Sequence, residues 1–470
     1  MKRLLLPLLT CSLLAACGAG TASVPTDNGS GGTGGGGTGG GTGSTPASCV
    51  SGISAGSLGA QSLGVQPLSI TDAGRPDWSA PHVAGEVLIV GGQAAAVQSL
   101  GLQAAAVDSL GLIRASTPAG QTDQAYAETL RARGLQVQPN YIYKALATPN
   151  DPGFPGGTRA GVTVNGAAYD QDYLTRINAL AGWNLIGGAP QGAKVAVLDT
   201  GVDFSHPDLK GRLLPGCDFG DNDDDASEVT SGDVGHGTSS TGLIGAATNN
   251  GTGIAGLTWT GQNILPVKVF SGDGATTTAL AQGIRYAAAQ GAKVINMSLG
   301  FVGSSDPTVA SAIQAAAAKD VLMVAAAGNT PGDGLYYPAS DNSVMAVGAI
   351  GGTDPKAANY NDLACYSARP KAGQKGLDLV APGGNAGTGT SNCYTGSSYD
   401  ILTLQPGGYT LRAGTSEAAP QVSGAAALIR AYRPNLTANQ VRAILTSTAK
   451  TVSGGKLLDV GAAVAQAGRQ

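Results

Sequence analysis

From Gly192 onward, short apolar runs recur along the chain: Lys194–Leu198, Ile264–Phe270, Lys293–Leu299, Val321–Ala326, Val344–Ile350 and Leu377–Val380. Their apolar residues are continuous, and segments of helical spacing separate them. Strands buried on both faces read this way, so the pattern predicts an α/β domain with a doubly wound parallel sheet. Three runs end in a polar residue beside glycine: Asp199-Thr200-Gly201, Ser298-Leu299-Gly300 and Gly328-Asn329. Ligands of open α/β sheets bind beyond the carboxyl ends of the strands. Packing alone does not account for three such endings on one edge.

A smaller β-α-β-α-β pattern precedes this region. Gly85–Val90 reads as a strand, Gln93–Leu110 as an alanine-rich helix and Leu112–Ser116 as a second strand. Gln121–Arg133 has amphipathic helical spacing, with Tyr126 and Leu130 on one face, and stops at Gly134. Leu135–Leu146 alternates as a strand does. The turn-rich junction Thr148-Pro149-Asn150-Asp151-Pro152-Gly153 follows.

The amino terminus changes the picture. Lys2 and Arg3 precede an apolar run, Leu4 to Ala16, which is short for a membrane span and suits a signal-peptide core. It ends in Leu14-Ala15-Ala16-Cys17-Gly18, which resembles the lipobox of bacterial lipoproteins. That resemblance implies that Cys17 is lipidated and anchors an exported protein to a membrane. Residues 18–48 are mostly Gly, Ser and Thr and have the composition of a flexible tether; residues 49–80 carry no clear pattern. Charged residues make up only 12% of the 470, glycine numbers 74 and net charge is −4. With no long basic run, nucleic acid is excluded as an expected partner. Apart from Cys11 and Cys17, four cysteines remain, which allow three pairings. Cys365 and Cys393 flank one variable region and are the favoured pair, with Cys217 free or bonded to Cys49.

The candidate chemistry centres on Gly414-Thr415-Ser416-Glu417-Ala418-Ala419-Pro420, a serine among small residues at the mouth of an alanine- and glycine-rich helix. A hydroxyl there can act as a nucleophile beside unpaired backbone N–H groups, but it needs a base, usually histidine, oriented by a carboxylate. Of the three histidines, His82 lies before the smaller unit and His206 sits beside a turn. His236, in Gly235-His236-Gly237-Thr238, opens a small-residue helix. Asp199 caps the early strand Val195-Ala196-Val197-Leu198 and is the best orienting carboxylate. The chain order Asp, His, Ser is the one found in subtilisin.

Four blocks in this order, Asp199–Val202, Gly235–Thr238, Ala326–Asn329 and Gly414–Pro420, resemble those of the subtilisin-like serine proteases, the subtilases. The resemblance implies a serine endopeptidase with Asp199, His236 and Ser416 as triad. Asn329 would donate to the oxyanion together with the Ser416 N–H. Ser298, Leu299, Gly300, Ala326 and Gly328 would border an open, apolar pocket for polypeptide substrates. Val137-Gln138-Pro139-Asn140-Tyr141 looks like a subtilase propeptide ending, so the smaller unit would be an intramolecular inhibitor of a zymogen. The expected division is signal peptide and lipobox at 1–17, tether at 18–80, propeptide at 81–147 and catalytic domain at 148–470, with a monomeric enzyme.

Calcium is the expected structural cofactor. Asp151, Asp208 and Asn250, with the carbonyls of Ala247, Thr252 and Ile254, resemble a calcium site of thermitase-like subtilases. The acidic run holding Asp218, Asp221 and Asp223 offers a second set of hard oxygen donors. Three departures stand out. Ser239 replaces a second histidine of the family, the connection from Pro382 to Ser416 is long and glycine-rich, and Glu417 stands where the family carries methionine. Glu417 and Ser239 are the only support for a second reading, a catalytically silent surface binding protein on the same fold.

Overall fold

The structure is a computed structural model that describes residues 76–78, 82–90, 104–106, 112–142, 148–155, 161–187, 191–351, 360–384 and 401–470. The signal-peptide, lipobox and tether expectations, and Cys49 and Cys393, lie outside these residues. Among the described residues, no helix is long and apolar enough to cross a membrane.

The smaller unit is an antiparallel sheet of β1 (His82–Val90), β2 (Ala104–Ala106), β3 (Ile113–Ser116) and β4 (Gln136–Tyr141), in the order β2-β3-β1-β4. Helix Asp123–Arg131 covers it and buries Tyr126, Ala127 and Leu130 against Val87, Ile89 and Val137. Thr122 caps this helix by accepting the Ala125 N–H. Ala104–Ala106 lies in the stretch expected to be helical and is a strand instead. The alanine-rich spacing that suggested a helix is a weak preference, and pairing with β3 overrides it. A surface pocket joins this unit, through Trp78, His82 and Gln124, to Tyr432, Arg433 and Val464 of the larger one.

The larger unit opens with a hairpin of β5 (Val162–Val164) and β6 (Ala167–Tyr169). Its main sheet has nine strands: β7 (Val195–Asp199), β8 (Cys217–Asp218), β9 (Ile264–Lys268), β12 (Val294–Met297), β13 (Leu322–Ala326), β14 (Val344–Ile350), β15 (Leu379–Pro382), β18 (Lys450–Val452) and β19 (Gly455–Leu457). Between β9 and β12 lies the small hairpin of β10 (Phe270–Ser271) and β11 (Gly274–Ala275). Across the sheet the order is β8-β9-β7-β12-β13-β14-β15-β19-β18, parallel except for the β18–β19 pair. From β7 the chain moves outward to β9, then returns to β12 on the other side of β7. The reversal leaves a crevice at the carboxyl ends of β7 and β12.

Alternate residues of the central strands enter two cores. Val195 and Val197 join the helices Thr415–Tyr432, Ala438–Thr448 and Val460–Gly468 on one face. Ala196 and Leu198 join helices Thr277–Ala289 and Pro307–Ala317 on the other. The continuous apolar runs are therefore strands buried on both faces, as their pattern predicts. The two short edge elements, β8 and the β18–β19 hairpin, carry too few apolar residues to show in such a pattern.

The long connection before Ser416 contains an antiparallel hairpin, β16 (Ile401–Gln405) and β17 (Gly408–Arg412). Its inner side packs on the histidine helix, His236–Gly245, where Leu404 lies over Gly242. Thr403 and Ser239 share a hydroxyl–hydroxyl hydrogen bond of 3.1 Å. That contact gives Ser239 a packing role at its departure from the family pattern. Cys365 is disulfide-bonded, and Cys217 carries a thiol.

Candidate active site

Asp199 ends β7, and the chain turns at Gly201 in a left-handed conformation (φ 110°). A side-chain carbon on Gly237 would lie 2.0 Å from the Gly201 carbonyl oxygen, so only glycine lets the histidine helix start this close to the β7 exit. The imidazole is thereby delivered to the carboxylate: His236 Nδ1 is 2.6 Å from Asp199 Oδ1. Asp199 is 1% exposed, and its Oδ1 also accepts the Thr200 N–H at 2.8 Å.

Glu228 ties the same corner from behind. It accepts the Thr238 N–H at 3.0 Å, the Thr238 hydroxyl at 2.7 Å and the Thr200 hydroxyl. Thr200 in turn accepts the Gly237 N–H at 2.8 Å. A carboxylate on the first turn of a helix suits the dipole there, while burial and, to a smaller extent, Asp199 push its pKa up. Sequence reasoning missed Glu228, which lies far along the chain from Thr200 and belongs to no motif.

Ser416 begins helix Thr415–Tyr432 on the other wall. Pro420, four residues on, has no N–H to give to the Ser416 carbonyl. That carbonyl accepts the Ser298 hydroxyl at 3.1 Å instead, while the Ser416 hydroxyl donates to the Ser298 carbonyl at 3.2 Å. Ser298 Oγ also takes hydrogen bonds from Asn296 Nδ2 at 3.0 Å and Ser240 Oγ at 3.2 Å. One buried polar network thus joins β12, the histidine helix and the serine helix. The Ser416 hydroxyl is thus directed at Ser298 and not at His236, a looseness common before substrate binds.

Asn329 sits beyond β13. Its Oδ1 accepts both the N–H and the hydroxyl of Thr415, each at 2.9 Å, and the Thr415 hydroxyl accepts the Gly328 N–H at 3.1 Å. These bonds fix which end of the amide is the oxygen and direct Nδ2 towards Gly414. Thr415 was not singled out in the sequence, although it adjoins Ser416.

Ser298, Leu299 and Gly300 follow β12, and Ala326 and Gly328 lie at the end of the neighbouring β13. Gly328 is left-handed (φ 110°), and a side-chain carbon there would strike the Tyr336 ring at 2.4 Å. Tyr336, which no motif marks, thus packs its ring directly against Gly328, at the end of the strand expected to border an open pocket.

Glu417 is 3% exposed. Burial raises its pKa to about 7, against the pull of His236 and Arg412. For His236 burial opposes the charge, but Asp199 and then Glu417 and Asp233 outweigh it, and the pKa rises to about 9. Arg412, at the end of β17, reaches Asp233 Oδ1 and the Val234 carbonyl, both at 2.9 Å, just ahead of His236.

The two metal expectations separate. Asp151 and Asp208 are buried at 1% and 0% exposure. Asp151 accepts the Asn249 and Asn250 N–H groups at 2.7 and 3.1 Å. Asp208 accepts from Asn250 Nδ2 (3.0 Å), the Ile254 N–H (2.9 Å) and the Tyr409 hydroxyl (3.1 Å). The Ala247 N–H meets the Asp208 carbonyl at 2.6 Å, and the Thr252 N–H meets Asn250 Oδ1 at 2.7 Å. Burial, eased by the amide donors and aggravated by Asp208, lifts the Asp151 pKa to about 6. Two adjacent buried carboxylates in an oxygen-rich loop fit a hard cation.

The run Asp218, Asp221 and Asp223 does not fit one, and that expectation is corrected. Lys268 Nζ stands 2.7 Å from Asp218 Oδ2 and 2.6 Å from Asp221 Oδ2, so the chain supplies its own cation. Asp223 turns to the Asp225 N–H at 2.8 Å. Among the described residues, no three acidic, histidine or cysteine side chains cluster as a metal site.

A doubly wound parallel sheet with this carboxylate–imidazole pair and a helix-start serine at its carboxyl edge defines a serine-type endopeptidase. Residues 190–462 match the subtilase family. Thermitase from Thermoactinomyces vulgaris is 37% identical over 309 residues, 65% of this chain and 93% of that protein. The thermophilic serine proteinase of Bacillus sp. (strain AK1) is 34% identical over 323 residues, 68% of each chain. A protease from Pseudoalteromonas arctica has a solved structure that matches with a TM-score of 0.56 at 30% identity, covering 68% of this chain and 100% of that one. The chain belongs to the subtilase family.

Proposed function

We propose that this subtilase is an exported endopeptidase, made as a zymogen and anchored through a lipidated Cys17, that cleaves polypeptides through an acyl-enzyme. Ser416 attacks the scissile carbonyl carbon. His236, neutral at Nε2, takes the hydroxyl proton and later returns it to the leaving amine. Asp199 holds the imidazole in the tautomer with the proton on Nδ1 and stabilises the imidazolium that forms. Asn329 Nδ2 and the Ser416 N–H receive the developing oxyanion. Extended substrate pairs with the backbone of Ser298–Gly300 and the segment ending at Gly328, and an apolar side chain enters the pocket beside Tyr336. The observation that supports this most directly is the 2.6 Å bond between His236 and Asp199 at the sheet's carboxyl edge.

Calcium, when bound by Asp151, Asp208, Asn250 and the carbonyls of Ala247, Thr252 and Ile254, would clamp the start of the catalytic domain to its body. The smaller unit is the inhibitory propeptide. Its shared pocket with Tyr432 lies sixteen residues along one helix from Ser416, about 24 Å at 1.5 Å per residue. Inhibition then requires the segment after β4 to reach the cleft.

The test compares the parent chain with Ser416→Ala. A serine-directed phosphonate labels the parent alone, and only the parent is cleaved near residues 146–150. A folded parent that is neither labelled nor cleaved overturns the proposal and favours a silent binding protein. Fractionation before and after maturation tests the anchor: release of the catalytic domain into the soluble fraction follows cleavage between Cys17 and that domain.

A further inference from the structure

Three atoms flank one small hollow beside Gly414. A side-chain carbon added to that glycine would lie 2.8 Å from Glu417 Oε2, 3.3 Å from Asn329 Nδ2 and 3.6 Å from Ser416 N. Two of the three are the N–H donors assigned above to the oxyanion; the third is a carboxyl oxygen. The Glu417 carboxyl is buried, and among the described residues it accepts no hydrogen bond, so nothing holds its charge there by direct contact. Charged groups facing it are His236, Arg412, Asp233 and Asp199; the Arg412 guanidinium donates from Nη1 to Asp233 and from Nη2 to the Val234 carbonyl, and its buried Nε has no hydrogen-bond partner among the described residues.

We propose that neutral Glu417 is a third hydrogen-bond donor to the oxyanion, and that ionised Glu417 bars the oxyanion from the same hollow. The inference rests on the triad reading above. A carboxylate beside two N–H donors competes for the place of a developing negative oxygen, whereas a carboxylic acid adds a donor to it. An enzyme can keep a carboxylic acid neutral for this purpose by burying it in an apolar site.

The proton balance closes. As Ser416 Oγ bonds to the carbonyl carbon, its proton passes to His236 Nε2 and the carbonyl π pair moves to oxygen. That oxygen accepts from Asn329 Nδ2, the Ser416 N–H and the Glu417 O–H, and Glu417 keeps its proton. When the carbonyl re-forms, the C–N bond breaks and His236 protonates the amine. Before substrate binds, Glu417 and His236 share one proton over the neutral-to-alkaline range, since their pKa values lie at about 7 and about 9. The productive arrangement has that proton on Glu417 and the imidazole free.

Glu417→Gln and Glu417→Met separate the donor from the charge, because both remove the charge and only glutamine offers an N–H. On a peptide amide substrate, the Gln variant is expected to exceed the Met variant in kcat by about 10- to 100-fold, at or below the usual loss for one oxyanion donor. Equal kcat values within about threefold, in variants with unchanged thermal unfolding, overturn the proposal. If either variant fails to fold, the parent decides it. An infrared difference spectrum of its peptide-aldehyde adduct in mildly alkaline buffer shows a protonated carboxyl if the proposal holds and only carboxylate if it fails. A parent inert to the phosphonate marks a failure of the protease reading instead.

Discussion

Asp199 gives His236 one oxygen, Oδ1 at 2.6 Å, and keeps the other, Oδ2, buried with no hydrogen-bond partner among the described residues. The pair is therefore held by a single strong contact, charge-assisted whenever the imidazole is protonated. Asp199→Asn would present an amide N–H to the ring nitrogen and force the wrong tautomer. We expect kcat to fall by about 10⁴-fold with the fold intact. A loss of less than about tenfold in steady-state assays would show that Asp199 is not the orienting group.

The pH profile follows from His236 and Glu417. The base must be neutral and Glu417 protonated, so kcat/KM of the free enzyme should be bell-shaped, greatest where the pair holds one proton, between about 7 and about 9. Glu417→Gln removes one of the carboxylates that hold the His236 pKa up and also the group whose ionisation bars the oxyanion, so the bell should become a single rising limb, moved below pH 9 by about 1–3 units. Stability falls as pH rises. Both folded pKa values lie above the ordinary ones, 6.5 and 4.5. The stabilisation from His236 is complete below its ordinary value and lost as pH rises through about 9; that from Glu417 is complete below its own and lost through about 7. Urea midpoints should therefore fall between mildly acidic and alkaline pH. A flat midpoint would remove this linkage.

Calcium should stabilise through Asp151 and Asp208 and not through Asp218. Chelation should lower the melting temperature of the parent, with about 2.7 kcal/mol at stake when free calcium stands at a hundred times its dissociation constant. Asp151→Ala and Asp208→Asn should abolish the calcium response, and Asp221→Asn should leave it unchanged. Calorimetric scans across a calcium series measure each.

Lys268 replaces a metal at the acidic run, and its removal should be costly. Lys268→Met strands the Asp218 carboxylate, which is 0% exposed. A buried charge left without its partner costs about 3–5 kcal/mol. Adding Asp218→Asn should recover most of that loss, because the stranded charge is gone. Denaturant unfolding of the single and double variants tests this, and a double variant no better than Lys268→Met would contradict it.

Much of the fold was legible in the chain because its signals are local. Continuous apolar runs such as Val195–Leu198 report burial on both faces, and glycines beside Asp199, His236 and Asn329 mark sharp strand exits. The Gly237 requirement is visible only once Gly201 is known to lie against it. Tyr336 and Thr415 had no local signal, and neither did Glu228. Each acts through a partner distant in sequence or through a neighbour whose role is set elsewhere. The acidic run misled for the same reason, since Lys268 lies 47 residues from Asp221.

The sequence by itself determined the central parallel strands, the candidate reacting groups and the departure at Glu417, all encoded in residue type and spacing along the chain. Only the tertiary structure decided which charges meet. It put Lys268 rather than a metal between Asp218 and Asp221, and Glu417 rather than an inert side chain beside Asn329 Nδ2. Electrostatic interaction falls with distance in space and grows with burial, and neither quantity is written in the order of residues.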